Sequence, residues 1–143
     1  MKNNNKGINS KITADYYLNK KSTLGLIAEF NESDFRMTNV SETKLGSLRL
    51  SETDSLLLNN GLTTAKSKNT NLNANYYYDG GNETTFNIDA NYGRYSRDNN
   101  SYTPNQYTTP DRSRITSIYE VRSITPTIID IMTIKMDYEQ KLG

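Results

Sequence analysis

The chain has 143 residues, a net charge of +1, 34% hydrophobic residues and a mean hydropathy of -0.81. This length suffices for one domain, and the balanced charge gives no electrostatic footprint for nucleic acid, so we expect no nucleic-acid partner. The chain lacks cysteine and histidine, which excludes disulfides and thiolate metal sites and removes the commonest general base.

The composition predicts an all-β protein. Asn, Thr and Ser make up about a third of the residues, and there are 11 tyrosines but no tryptophan. Thr and Tyr favour strands, whereas Asn is common in turns and on polar sheet faces. No window approaches about 18 consecutive apolar residues, and no apolar run follows the Asn- and Lys-rich start. We therefore expect neither a transmembrane helix nor a signal peptide.

The first two predicted strands cover residues 8–18 and 23–31, with a turn at Asn19–Ser22 between them. In both strands apolar side chains occupy alternate positions, the period of a strand with one apolar face. These residues are Ile8, Ile12, Ala14, Tyr16 and Leu18 in the first strand, and Leu24, Leu26, Ala28 and Phe30 in the second.

Residues 32–68 are polar and irregular, and we expect a long loop in which 45–50 and 56–58 form short strands at most. Such a connection is unusual in a small soluble domain. It is the expected long extracellular loop of an outer-membrane barrel.

A β-hairpin follows, with strands at 69–78 and 84–96 and a turn at Asp79-Gly80-Gly81-Asn82. Glycine and Asn tolerate the positive φ angles that a tight reversal requires. One face is apolar and ends in tyrosines, whereas the other is nearly all Asn, Asp and Thr. A soluble hairpin with one wet side and two strands of a membrane barrel both fit this pattern.

A second long loop is predicted at 97–112, and a last strand at 115–141 with a pause at Pro126. Apolar residues alternate with polar ones from Met132 to Tyr138. On the N-terminal side of Met132 the pattern is irregular, because Asp130 lies at a position where an apolar residue is expected. We expect a bulge or the end of the bilayer there.

Connections of alternating length, short then long, indicate a barrel meander. The strand ends also repeat, because Ala14-Asp15-Tyr16 resembles Ala74-Asn75-Tyr76 and Met136-Asp137-Tyr138. We predict that Tyr16, Tyr76 and Tyr138 form an aromatic girdle at the lipid interface, where an apolar ring with a polar hydroxyl is favoured.

Three segments resemble consecutive strands of the outer-membrane β-barrel family of TonB-dependent receptors. They are ITADYYLNKKSTLGLIAEF, TNLNANYYYDGGNETTFNIDANYGRY and YEVRSITPTIIDIMTIKMDYEQKLG, and the similarity covers about residues 8–31, 69–96 and 115–143. The resemblance implies a parent barrel of about 22 strands with a plug that contacts TonB. Neither the plug nor the barrel-closing strand is visible, so we expect a fragment of about five strands from a large transmembrane barrel.

We expect no enzymatic activity, no catalytic residues, no metal and no cofactor. Asp15, Asp89 and Asp137 share one parity, but each lies in a polar alternating row where a solvated residue is expected. A second set of tyrosines, in or beside the second predicted loop, is a candidate for extracellular ligand contact, by stacking on a sugar or ring. This set is Tyr95, Tyr102 and Tyr107.

The resemblance therefore predicts a part of an outer-membrane receptor that takes up nutrients. Its expected partners are outer-membrane lipid, TonB through a plug absent from this chain, and an unknown small-molecule or oligosaccharide ligand. The isolated segment is also expected to self-associate through unpaired strand edges. The alternative is a soluble β-sandwich or carbohydrate-binding module, in which the same apolar faces turn inward.

Overall fold

In the computed structural model, which describes residues 1–46, 53–81 and 83–141, the chain forms five β-strands and no helix. The strands follow one another in the order β1-β2-β3-β4-β5 of a single sheet. The predicted all-β, antiparallel five-stranded meander is thus confirmed. The strands are β1 (Lys2–Asn19), β2 (Ser22–Leu45), β3 (Ser55–Gly81), β4 (Thr84–Thr108) and β5 (Ile115–Gln140).

The first predicted short turn lies where the sequence places it, whereas the second lies slightly later than predicted, between Gly81 and Thr84, because β3 extends to Gly81. Asn19 Oδ1 accepts a hydrogen bond of 2.8 Å from the Lys21 backbone N–H, and Asp79 Oδ1 accepts one of 2.9 Å from the Gly81 N–H. Gly81 has a φ of 76°, the left-handed conformation that glycine adopts without a steric penalty. Side-chain carboxylate and amide groups therefore close both reversals.

The two longer connections are much shorter than predicted. The strands continue through most of 32–68 and 97–112, leaving connections only at 46–54 and 109–114. The alternation of short and longer connections nevertheless persists. Part of the short strand proposed at 45–50 and position 82 of the second turn lie outside the described residues, as do the last two residues of the chain.

The missed strand segments have polar side chains on both parities, so their hydrophobic period is too weak to detect. Hydrogen bonds to neighbouring strands hold these segments in the sheet instead. Asn59 Nδ2 donates a 2.9 Å hydrogen bond to Asn105 Oδ1 across β3 and β4, and Asp54 N–H donates one of 2.8 Å to the Leu45 carbonyl at the β2–β3 end. Cross-strand pairing of this kind does not depend on apolar periodicity.

Strand β5 is continuous, without the predicted pause at Pro126. Proline lacks the N–H that a central strand needs, and β5 is the last strand of the sheet order, where this loss is tolerated. Asp130 also stays in the strand, on the same face as Met132.

The chain divides into two compact units. The short-turn unit comprises Gly7–Ser33, Ser67–Arg97 and Thr127–Gly143 and contains both short turns. The loop unit comprises Met1–Lys6, Asp34–Lys66 and Asp98–Pro126. Among the described residues the only buried apolar side chains are Leu56 and Ala65, both in the loop unit. The residues that the structure describes contain no helix that is long and apolar enough to cross a membrane.

Candidate functional site

In the short-turn unit one sheet face is apolar on all five strands. Even-numbered residues line a shallow depression of about 540 Å³ on this face, which is the predicted apolar face. The side chains on the terminal strands are largely exposed, with Ile12 at 70% and Met132 at 72%, whereas those on β2 to β4 are about half-exposed, such as Leu26 at 49% and Leu72 at 47%. We call the apolar even-numbered residues of the short-turn unit the apolar band. Those at the depression are Ile12, Ala14, Leu26, Ala28, Leu72, Ala74, Ala90, Tyr92 and Met132.

The three predicted girdle tyrosines all lie on this face, near the short turns. Tyr16 and Tyr138 are 67% and 61% exposed, and Tyr138 Oη donates a 2.8 Å hydrogen bond to Gln140. Tyr76 packs edge-on against Phe86 with ring centroids 6.5 Å apart, and its hydroxyl lies 3.3 Å from Ser22 Oγ. Tyr76 is thus partly enclosed by neighbours, unlike the other two.

The register of the sheet shows a further tyrosine on this edge that the repeat analysis missed. A Cβ on Gly25 would contact both Asp15 and Asn75, which places these three residues in one row across β1, β2 and β3. Because facing residues share parity, Tyr76 lies in the row of Tyr16. Tyr78 follows two positions closer to the short turn, also on the apolar face.

Away from the short turns, charged and hydroxyl groups lie on the same face as the band, although the exposed Ile128 of β5 continues the apolar face beyond Asp130. Tyr92 Oη donates a 2.8 Å hydrogen bond to Asp130 Oδ1, and Arg94 Nε lies 3.8 Å from the same oxygen. On β2 and β3, Lys68 Nζ lies 4.0 Å from Glu32. The acidic residue that interrupts the apolar pattern of β5 is therefore paired with groups of β4.

The other face of the short-turn unit is polar. Lys11 and Glu29 form a 2.8 Å ion pair, and Asn73 Nδ2 donates a 2.6 Å hydrogen bond to Asn91 Oδ1. Glu29, Asn73 and Asn91 line a second depression of about 480 Å³, to which the apolar residues Ile27, Leu72, Tyr92 and Ile131 also contribute. Gly93 makes room for another polar side chain of this face, because a Cβ there would lie 3.0 Å from Asn71 Oδ1.

The three carboxylates that share this face have separate partners. Asp15 lies beside Gly25, Asp89 accepts a 2.8 Å hydrogen bond from Asn87, and Asp137 forms a 2.7 Å ion pair with Lys135. Over residues 1–46, 53–81 and 83–141, no cluster of three or more acidic side chains is arranged to hold a metal ion.

The three tyrosines proposed for ligand contact are divided between the two units. Tyr102 and Tyr107 lie on β4 in the loop unit, but their opposite parity places them on different faces. Tyr102 Oη donates to Glu120, and Arg122 stacks 4.9 Å from the centre of its ring. The Glu120 carboxylate raises the pKa of Tyr102 by accepting its proton in a hydrogen bond. Tyr95 belongs to the short-turn unit.

The connection at 109–114 is a compact loop held by one carboxylate. Asp111 Oδ1 accepts hydrogen bonds from the hydroxyls of Thr109 and Ser113 and from the Ser113 N–H at 3.1 Å. These donors lower the pKa of Asp111 to about 2. Arg112 of the same loop pairs with Glu42 of β2.

A further group of charged residues in the loop unit borders a depression of about 480 Å³. Lys6, Asp34, Arg36 and Asp98 are among the residues that border it. Opposite charges from neighbouring strands face one another here, an arrangement that supports strand pairing.

No protein-family model matches the sequence, and no curated protein is significantly similar to it.

Proposed function

We propose that this chain forms part of the wall of an outer-membrane β-barrel of the TonB-dependent receptor type, which takes up nutrients. The observation that carries the proposal is the apolar band of the short-turn unit. Its side chains are exposed on a sheet face that no second layer covers within the described residues. Exposed apolar surface of this extent marks contact with lipid or with another protein.

The polar groups beside the band support lipid as the partner. Tyr16, Tyr78 and Tyr138 lie toward the short turns, and the Tyr92–Asp130 and Arg94–Asp130 pairs lie away from them. Tyrosines and ion-paired side chains are favoured at the membrane–water interface, where apolar and polar groups must both be satisfied. An inward-facing core of a soluble domain has no need of such groups.

The polar face and the connections are compatible with the same proposal. A barrel wall turns polar side chains toward a water-filled or plugged interior, and the Asn-rich face of the short-turn unit has this character. Connections of alternating length are typical of barrels that have short periplasmic turns and longer extracellular loops. On this assignment the connections at 46–54 and 109–114 would face the cell exterior.

The receptor type, its dependence on TonB and its nutrient substrate rest on the sequence resemblance. In such a receptor the wall has no chemical step to perform. It satisfies every backbone polar group within the sheet and presents apolar side chains to acyl chains. A plug outside this chain would contact TonB and move when energy is supplied.

The proposal is tested in cells that carry the intact gene. An antibody against the loop at 109–114 should stain unpermeabilised cells and follow the outer-membrane fraction. Disruption of the gene should abolish energised uptake of at least one nutrient from a panel, and an uncoupler of the proton gradient should abolish the same uptake in the parent strain. Recovery of the product as a soluble monomer would contradict the proposal and favour the β-sandwich or carbohydrate-binding alternative.

A further inference from the structure

We propose that the Asn-lined depression on the polar face of the short-turn unit binds a short neutral oligosaccharide. This is the depression of about 480 Å³ beside Asn73 and Asn91, and Tyr95, Tyr102 and Tyr107 lie outside it. The site deepens the proposed function, because it names a class of substrate. Binding depends only on this face, whereas a part in nutrient uptake rests on the proposed function.

The register of the sheet places three amide side chains and a glycine at the centre of the depression. Asn73 faces Asn91 across β3 and β4, and Asn71 faces Gly93 on the same two strands. The two pairs are neighbours on one face, because residues two positions apart on a strand point to the same side of the sheet. The centre of the site is therefore polar and has one position without a side chain.

Gly93 keeps the floor of the depression low. The Asn71 amide hydrogen-bonds to Glu29 of β2, and its Oδ1 lies 3.0 Å from the place that a Cβ of Gly93 would take on β4. The Asn71 side chain therefore extends along the sheet toward both neighbouring strands instead of away from it. A sugar ring can approach such a floor closely, which a side chain at position 93 would prevent.

The amides of Asn73 and Asn91 supply hydrogen-bonding groups of both kinds. Asn73 Nδ2 donates a 2.6 Å hydrogen bond to Asn91 Oδ1, which fixes the two side chains relative to each other. In the described part of the chain, Asn73 Oδ1 and Asn91 Nδ2 have no hydrogen-bond partner. An acceptor and a donor thus lie close together, and sugar hydroxyls, which both donate and accept, can satisfy them.

Two isoleucines flank the amide pair. Ile27 on β2 and Ile131 on β5 line the depression on either side of Asn73 and Asn91, and Ile131 is 59% exposed although it lies on the polar face. Three strand spacings of about 4.8 Å place β2 and β5 about 14 Å apart, so the site is elongated. Apolar surface beside a few placed polar groups is usual in small-molecule sites of about 300–1,000 Å³, and it suits the C–H faces of sugar rings.

The charge of the depression favours a neutral ligand. Among the described residues that line it, Glu29 alone is charged, and Lys11 neutralises Glu29 through a 2.8 Å ion pair. An anionic ligand such as a ferric chelate would face this carboxylate without an unpaired cation to bind it. A purely apolar ligand would cover the amides of Asn73 and Asn91 without giving them partners, which costs free energy.

Binding is measured on the full chain refolded into a polyoxyethylene detergent, because maltoside and glucoside detergents carry sugar headgroups that would compete. Isothermal titration uses cellotriose, maltotriose, mannotriose and xylotriose, with trigalacturonate as the matched anionic sugar and ferric citrate as an anionic chelate. We expect saturable binding of at least one neutral trisaccharide. Trigalacturonate should bind at least about tenfold more weakly, because Glu29 repels its carboxylates, and ferric citrate should not bind.

A matched pair of variants tests the amides. Asn91→Leu keeps the approximate size of the side chain but removes its hydrogen-bonding groups, so it should weaken binding about tenfold, as the loss of one or two hydrogen bonds predicts. Asn31→Leu, on the same face of β2 but outside the depression, should bind like the parent. In the parent protein, saturating sugar should shift the side-chain amide NMR signals of Asn73 and Asn91 but not that of Asn31, a measurement that depends on no variant.

The outcomes separate this inference from the barrel proposal. A folded chain that binds none of the four neutral sugars would overturn the inference and leave the barrel proposal standing. The same conclusion follows if trigalacturonate or ferric citrate binds more tightly, or if Asn91→Leu binds as well as Asn31→Leu. Recovery of the gene product as a soluble monomer that binds a neutral sugar through Asn91 would support the site and contradict the barrel.

Discussion

Glycine at position 25 illustrates how a single residue shapes the polar face. Gly25 is buried, and the space where a side chain would lie is taken by the amide of Asn75 and the carboxylate of Asp15. Position 25 therefore needs a residue without a side chain, because polar side chains of the two neighbouring strands occupy the space beside it. A methyl group here must displace at least one of the two polar side chains.

Gly25→Ala should therefore destabilise the sheet by about 1–3 kcal/mol, the usual effect of overpacking a close contact. The measurement is urea unfolding in non-ionic detergent. Gly61→Ala is the matched control, since its nearest contact would be an ordinary 3.4 Å, and it should be close to neutral. The double variant Gly25→Ala/Asn75→Ala should recover most of the loss. A Gly25→Ala protein as stable as the parent would contradict this account of the packing.

Asp111 is a second residue with a defined structural role, because its carboxylate accepts hydrogen bonds within the loop at 109–114. Its pKa is lowered to about 2 because the Thr109 hydroxyl and two groups of Ser113 donate to the carboxylate. A folded-state pKa below the ordinary value means that the loop is stabilised when Asp111 is ionised. This stabilisation is complete above about pH 4 and is lost as the pH falls through about 2.

The loop should therefore open between pH 4 and pH 2. NMR spectra should show the Ser113 amide shift with an apparent pKa near 2. Asp111→Asn should remove this titration and increase amide exchange in the loop at pH 7, whereas Asp54→Asn at the other long connection should leave the Ser113 titration in place. A midpoint near 4 in the parent protein would show that the three hydrogen bonds do not form.

At the scale of the strand, adjacent residues of β5 lie on opposite faces of the sheet. Met132 lies in the apolar band and is 72% exposed, whereas Thr133 follows it on the polar face. If the band contacts lipid, a charge at position 132 enters the hydrocarbon layer and one at 133 does not. In water both positions would tolerate a lysine.

Met132→Lys should consequently cost about 2–4 kcal/mol in a bilayer, the range for lysine near the midplane of a barrel wall, and Thr133→Lys should cost less than about 1 kcal/mol, within the range of surface substitutions. The difference is measured by urea titration of vesicle-inserted protein. Equal costs in the bilayer would show that position 132 does not meet lipid.

For the whole molecule, the important features are the exposed band and two open strand edges. β1 is exposed along its length and β5 is exposed except at Thr127, and both are terminal in the sheet order. With five antiparallel strands, β1 and β5 run in the same direction. Pairing the β1 edge of one copy with the β5 edge of another would therefore give a parallel junction.

The isolated chain should self-associate in water at micromolar concentration, because apolar side chains and unpaired backbone groups both seek partners. Sedimentation velocity should show large, heterogeneous species in buffer. A non-ionic detergent above its micelle concentration should convert them to small particles, because detergent covers the band. A folded, monodisperse monomer without detergent would contradict this expectation and the exposure of the band in solution.

The sequence by itself determined the number of strands, the two short turns and the face of each amphipathic segment. These features depend on neighbours in the chain. The alternation from Ile8 to Leu18 sets a face through the two-residue period of a strand, and Asn19 and Asp79 close their turns through their own side chains. The family resemblance and the function remain predictions.

Only the tertiary structure decided how far the strands extend and which residues face one another. The polar segments of β2, β3 and β4 have no apolar period, and hydrogen bonds such as Asn59–Asn105 order them across strands. Asp130 interrupts the apolar pattern of β5, and only the structure shows that it contacts Tyr92 and Arg94 of β4. Strand pairing joins residues distant in the chain, so a local pattern cannot reveal it.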